Sequence, residues 1–235
     1  MKKILRSPAV TGFLFLMALI LLVFGSIGGT RAALNRESAV YESQMNTTSM
    51  AIAIRQGSET IEPNKLMKIS SGDMVSLAGD KSFKIGKNYS LPLSVYNSGS
   101  VDESVRVTIY KYWVTPSGST ETTGWFDGSG TKDQNLDPDL IVIRPASGWT
   151  EDTDPNTKTK ERSVYYYSGT VAPGGSVQFL ESVALNGQVA KEIKEVNGKY
   201  VYTYDGLGFV LEIQADAVQT HNGSAAKISS WGQNK

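Results

Sequence analysis

The 235-residue chain carries one histidine, His221, in the stretch QTHNGS, and no cysteine. A lone imidazole can act as general base toward a serine gathered from a distant part of the chain, so it is the first residue to weigh for catalysis. No GxSxG elbow, P-loop or GxGxxG turn accompanies it. A zinc protease of the HExxH kind needs two histidines one helical turn apart, which this chain cannot supply. His221 therefore reads as a turn residue ahead of the terminal segment. No catalytic residue is assigned, and the chain is expected not to be an enzyme.

Two acidic groups, Asp133 with Asp137 and Asp139, and Glu151 with Asp152 and Asp154, supply hard oxygen ligands of the kind Ca²⁺ takes. Neither has the D-x-[DN]-x-[DN]-G spacing of a calcium loop, so they read as solvated loop charge, with no metal or cofactor expected. Aromatic residues are a second resource. Tyr110, Tyr112, Trp125, Trp149 and the run Tyr165, Tyr166, Tyr167 could stack on sugar rings or line a subunit contact. Alternation within a core accounts for most of them. A monomeric surface module that binds glycan or mediates adhesion through Trp125 and Trp149 stands as the alternative function.

The elements that must position these residues follow the strand period of two. In residues 47–54, TTSMAIAI, Met50, Ile52 and Ile54 share a face. In residues 89–97, Leu91, Leu93 and Val95 do so, and Pro92, lacking a backbone donor, predicts an edge strand or a strand start there. The longest segment is ESVRVTIYKYWV, residues 103–114, with Val105, Val107, Ile109, Lys111 and Trp113 on one side and Arg106, Thr108, Tyr110 and Tyr112 on the other. Residues 140–145 form a short apolar run, further strands are expected at 163–171, 177–186 and 206–220, and long polar loops lie at 115–139 and 148–162. Residues 187–200 carry Val189, Ile193 and Val196 at helical spacing and predict a short helix ended by Asn197-Gly198. The terminal GSAAKISSWG is too short for an independent helix and is expected to dock through Ile228 and Trp231. Strands without long intervening helices predict an all-β chain, an antiparallel jelly-roll-type sandwich over residues 55–235.

The N-terminus has a different character. Lys2, Lys3 and Arg6 precede the apolar GFLFLMALILLVF, residues 12–24, and no acidic residue occurs before Glu37. That is the order of a secretory signal helix. The uncharged stretch approaches the roughly 20 residues that span a bilayer, so a retained anchor is the alternative. GSIGGTRAALN, residues 25–35, places small residues three and one before a break between Ala32 and Ala33, which favours removal of residues 1–32. Export to the cell surface or an extracellular matrix follows, with membrane contact only through the N-terminal segment before cleavage. The remaining part would hold 19 basic residues (23 less Lys2, Lys3, Arg6 and Arg31) against 23 acidic ones. That mild acidity does not indicate nucleic-acid binding. An exported chain without disulfides must rely on its own core, which suits the envelope of many single-membrane, Gram-positive bacteria. The freed residues 33–54 form an extended segment whose alternating Met50, Ile52 and Ile54 make it a candidate donor strand for a neighbouring molecule. Head-to-tail addition of this sort does not close and gives filaments, with the chain as its own partner. Pairing within its own domain is the other possibility.

GGTRAALN, VRVTIYKYW with the following LDPDLI, and DAVQTHNGSAAKISSWG together resemble the exported proteins that use a SipW-type signal peptide, a group distantly related to the biofilm matrix protein TasA and to camelysin. The resemblance spans most of the chain. It implies cleavage by a SipW-type signal peptidase between Ala32 and Ala33, a jelly-roll domain, and, for the TasA type, extracellular fibres in which the N-terminal strand of one subunit completes the sheet of the next, with related matrix subunits as further partners. The protease activity described for camelysin has no recognisable site here and is not carried over.

Overall fold

A computed structural model describes residues 12, 13, 15–18, 49–57, 59–63, 65–117 and 126–232. The chain divides into two compact units, Met1–Thr47 and Thr48–Lys235. In the first, the described residues are helical and Phe13, Phe15, Leu16 and Met17 are exposed. Among the described residues no helix is long and apolar enough to cross a membrane. The cleavage pair Ala32 and Ala33, most of the segment 33–54, and Trp125 lie outside the described residues.

The second unit is all-β and antiparallel. Its strands are β1 (Ile52–Gln56), β2 (Glu59–Thr60), β3 (Met67–Ser70), β4 (Tyr89–Asn97), β5 (Glu103–Pro116), β6 (Gly130–Asp133), β7 (Ile141–Pro145), β8 (Trp149–Glu151), β9 (Arg162–Tyr167), β10 (Ser176–Leu185), β11 (Ile193–Val196), β12 (Lys199–Tyr202) and β13 (Gly208–Gln219). One sheet has the order β2-β1-β4-β10-β7. The other has the order β3-β13-β5-β9-β8, with β6 paired to the end of β5. β11 and β12 form a hairpin outside both sheets. The inner faces of the two sheets meet in one core, where Ile52, Leu91, Leu93 and Leu180 of the first join Val107, Ile109, Leu211 and Ile213 of the second.

The longest pairing, β5 with β13, shows why these sequences form sheet. Trp113 lies opposite Phe209, Ile109 opposite Ile213, Val107 opposite Ala215 and Val105 opposite Ala217, so large cross-strand pairs at one end of the inner face give way to Val–Ala pairs at the other. Each of the larger side chains, buried in full, contributes about 1.5–3 kcal/mol relative to exposure. Lys111 shares that inward parity, but its stem carries the ammonium to the rim, where it donates to the Ile141 carbonyl at 3.1 Å and faces Asp139 at 3.5 Å. On the outer face the C-terminal helix, Gly223–Trp231, lays Trp231 over Tyr166 and closes a small second cluster with Val164 and Val218.

Four local expectations need correction. Residues 187–200 are not a helix: a 3-10 turn, Gly187–Ala190, leads into the β11–β12 hairpin. Asn197 and Gly198 both have positive φ, 52° and 75°, which is the two-residue turn that matches strand twist, so the Asn-Gly pair connects strands where it was read as a helix stop. Pro92 sits in β4, a central strand flanked by β1 and β10. It is tolerated because the β1–β4 register ends at Gln56 opposite Leu93 and the β4–β10 ladder is irregular between Leu180 and Ser182, so Pro92 occupies a regular ladder position on neither flank. Ile228 is exposed, leaving Trp231 as the buried anchor of the terminal helix. Trp149, Tyr165 and Tyr166 are buried and not available to a sugar.

Candidate functional site

Two ends of this unit carry features that packing alone does not require. At the first end, β4 finishes at Asn97 and β5 begins at Glu103, both fully buried. Asn97 organises the turn between them: its Nδ2 donates to the carbonyls of Val101 (2.7 Å) and Val171 (2.8 Å), and its Oδ1 accepts the Gly99 N–H at 2.8 Å. The chain ahead of β1 is fastened to this turn. Ser100 N–H donates to the Ser49 carbonyl (2.9 Å), Ser98 N–H to the Ala51 carbonyl (2.8 Å), and Ser49 N–H to Ser100 Oγ (3.0 Å). A Cβ at Gly99 would lie 2.4 Å from the Ser49 oxygen, so only glycine permits this approach.

Glu103 completes the attachment. Its Oε1 accepts the Ala51 N–H at 3.0 Å, while Oε2 is buried without a hydrogen-bond partner. Burial raises the carboxyl above the usual glutamate range, opposed in part by the Ala51 N–H. Beyond Ala51, β1 pairs along β4 from Ile52 opposite Asn97 to Gln56 opposite Leu93. Ile52 and Ile54 are core residues and Met50 is exposed. Ala53 is buried as well, because the Arg55 guanidinium stacks 3.8 Å over the ring of Tyr96, which lies opposite Ala53 on the outer face.

The other end holds an aromatic chain that crosses from one sheet to the other. Tyr89 of β4 stacks on Phe83 (3.9 Å between centroids), Phe83 meets Phe209 edge-on (5.0 Å), Phe209 meets Trp113 (5.9 Å), and Trp113 meets Tyr204 (4.6 Å). The Tyr89 hydroxyl accepts the Lys84 N–H and reaches Asp80, whose carboxyl Lys87 and then Lys84 hold well below the usual aspartate range. Beside this chain opens a cleft of about 650 Å³, with Trp113, Phe126, Val189 and Tyr204 in its lining. The β11–β12 hairpin follows Val189, and it exposes Ile193, Tyr200 and Tyr202 on one face.

The residues weighed for chemistry do not converge. His221 is exposed in the turn before the terminal helix and makes no side-chain hydrogen bond or ion pair among the described residues. The acidic loops hold themselves: Asp152 Oδ1 accepts the Asp154 N–H and its Oδ2 the Thr157 hydroxyl, while Asp137 accepts from Asp139 N–H and faces Lys160. Among the described residues no group of three or more His, Asp or Glu is placed to hold a metal ion. Tyr110 is exposed, and Tyr112, half-buried, donates to Glu212 Oε1 at 2.7 Å.

Sequence reasoning missed Glu103 and Asn97, although a signal was present. Glu103 has the parity of Val105 and Val107, and Asn97 that of Leu91, Leu93 and Val95, so each is a polar residue on an inward face. Compared with family models, curated proteins and solved structures, the chain matches none of them.

Proposed function

We propose that the chain is an exported structural protein of a bacterial cell surface or biofilm matrix, a jelly-roll-type sandwich whose subunits join by N-terminal strand addition once residues 1–32 are removed between Ala32 and Ala33. The observation that carries this reading is the one-sided attachment of β1. Among the described residues the only strand partner of Ile52 and Ala53 is β4; β2 pairs with Arg55 and Gln56, and the Ile61 N–H donates to the Ile54 carbonyl at 2.9 Å. A strand held along one flank can leave, and the slot beside β4 then accepts the same sequence from another copy, with Ile52 and Ile54 filling the same core positions. No new complementary surface is required. Electron microscopy of residues 33–235, beside a chain beginning at Gly57 and so lacking β1, tests it. Filaments from the longer protein only are expected, and monodisperse particles from both would sink the reading.

The glycan-binding alternative has one observation in its favour. Tyr200 and Tyr202 stand two residues apart on the same face of the hairpin, 74% and 60% exposed, which suits stacking on adjacent sugar rings. It predicts binding to an immobilised glycan that the double change Tyr200→Ala and Tyr202→Ala abolishes while the fold is kept.

A further inference from the structure

Glu103 stands out among the polar groups of the described residues. It is fully buried, one carboxyl oxygen has no hydrogen-bond partner, and the other is spent on a backbone amide 52 positions earlier in the chain. That amide belongs to Ala51, the residue immediately before β1. Among the described residues the surroundings offer no compensating charge. The turn at 97–100 contributes Asn97, Ser98, Gly99 and Ser100, and the isolated bridge across Glu103 contributes Val171. Asp102 immediately precedes β5, and across the β5–β13 ladder Glu103 faces Gln219, two residues before His221. The nearest cation on β1, Arg55, is committed to the ring of Tyr96. Burial raises its titration above the usual glutamate range, opposed in part by the Ala51 N–H.

We propose that Glu103 is a proton-operated latch on the N-terminal strand: with the carboxyl neutral, residues 49–56 are held against the turn at 97–100 and along β4, and with it ionised they are released. A buried carboxylate without a cation is costly, and the way to rehydrate it is to lift the segment that covers it. The sign follows from linkage. A carboxyl raised in the closed arrangement favours closure fully below its ordinary, open-state value, and that contribution is lost as the pH rises through the raised value. The closed state is therefore tightest in mild acid and loosens toward neutral and alkaline pH. The latch needs only the closed structure, whereas its consequence, that filament growth is faster at the higher pH, rests on the strand-addition reading above.

The test uses the full chain and two signals. Amide hydrogen-exchange protection of residues 51–56, corrected for the intrinsic pH dependence of exchange, is expected to fall between the ordinary glutamate value and the raised one, with a limiting slope of about tenfold per pH unit, and to level off above the raised value, while the β5 and β13 amides keep theirs. Glu103→Gln, neutral at every pH, is expected to hold the segment closed throughout. Uniform protection in the wild type, or an identical fall in Glu103→Gln, would overturn the latch. If that variant does not fold, the carboxyl carbon of Glu103 is titrated directly by NMR in the wild type. A midpoint above ordinary glutamate, coincident with the loss of protection, supports the proposal, and a midpoint at or below it overturns the proposal. Filaments are scored separately. Particles that stay monodisperse while the segment opens sink the fibre reading and leave the latch standing; filaments from a segment whose protection ignores pH sink the latch alone.

Discussion

The indole N–H of Trp113 donates to the Asp137 carbonyl at 2.9 Å, and the Asp137 N–H in turn donates to the Tyr204 hydroxyl at 3.2 Å. The end of β5 is thereby tied both to the loop that leads into β7 of the other sheet and to the turn that leads into β13. Trp113→Phe keeps most of the ring but leaves the carbonyl of Asp137 without this donor. The expected loss is about 1–3 kcal/mol in urea unfolding. Trp113→Ala also empties part of the core beside Phe209 and is expected to lose about 3–5 kcal/mol. Equal losses in the two variants would show that the hydrogen bond, not the ring packing, dominates at this position.

The Asn197-Gly198 turn supports a second expectation. Both residues have positive φ, and the hairpin they close belongs to neither sheet. Gly198→Val places a β-branched residue where the backbone disfavours it, at a cost of about 1–2 kcal/mol. Because β11 and β12 pair only with each other among the described residues, that cost should appear as lost protection of residues 193–202, with little change in the global unfolding midpoint. A global midpoint that falls by the same amount would mean that the hairpin unfolds together with the core.

These residues also show what was legible beforehand. Period-two alternation in 89–97, 103–114 and 206–220 located β4, β5 and β13, because each has one face on the core and the parity of a strand is fixed by its geometry. The hairpin is not legible in the sequence because Val189, Ile193 and Val196 satisfy a helical spacing by coincidence: Ile193 and Val196 are exposed and belong to no apolar stripe. Pro92 misled for a different reason. Its tolerance depends on where β1 ends and on an irregularity in β10, long-range partners that nothing near position 92 reveals. The attachment of residues 49–51 to the turn at 97–100 is likewise a contact between distant segments, and only the inward parity of Glu103 and Asn97 hinted at it.

Asp80 gives a pH dependence of opposite sign to that of Glu103. Lys87 and Lys84 depress its titration, so its contribution is present above the ordinary aspartate value, about 3.9, and is lost as the pH falls through the depressed value. The difference in urea midpoint between the wild type and Asp80→Asn should be constant at neutral pH and shrink below about pH 4. A difference that persists unchanged to the acid limit of folding would assign the effect to the neutral hydrogen bond with Tyr89 at 3.0 Å instead.

Gly208 and Gly72 both lie against Phe126 at the mouth of the cleft, yet they should respond differently to the same second change. A Cβ on Gly208 would come within 2.3 Å of the Phe126 ring, whereas one on Gly72 would come within 1.8 Å of the Phe126 carbonyl oxygen. Either glycine changed to alanine forces local displacement, at about 1–3 kcal/mol. Removing the ring with Phe126→Ala relieves only the first clash, so Gly208→Ala should cost markedly less in the Phe126→Ala background, a coupling of about 0.5–3 kcal/mol. Gly72→Ala should cost the same in both backgrounds, because the backbone it meets is still there, and Phe126 could yield only by giving up the bond from Ser70 Oγ to its carbonyl at 2.8 Å. Urea unfolding of the two double-mutant cycles measures both terms. Strict additivity at Gly208 would mean that the ring of Phe126 turns aside freely, so that Gly208 is held by its backbone conformation and not by the side chain across the cleft.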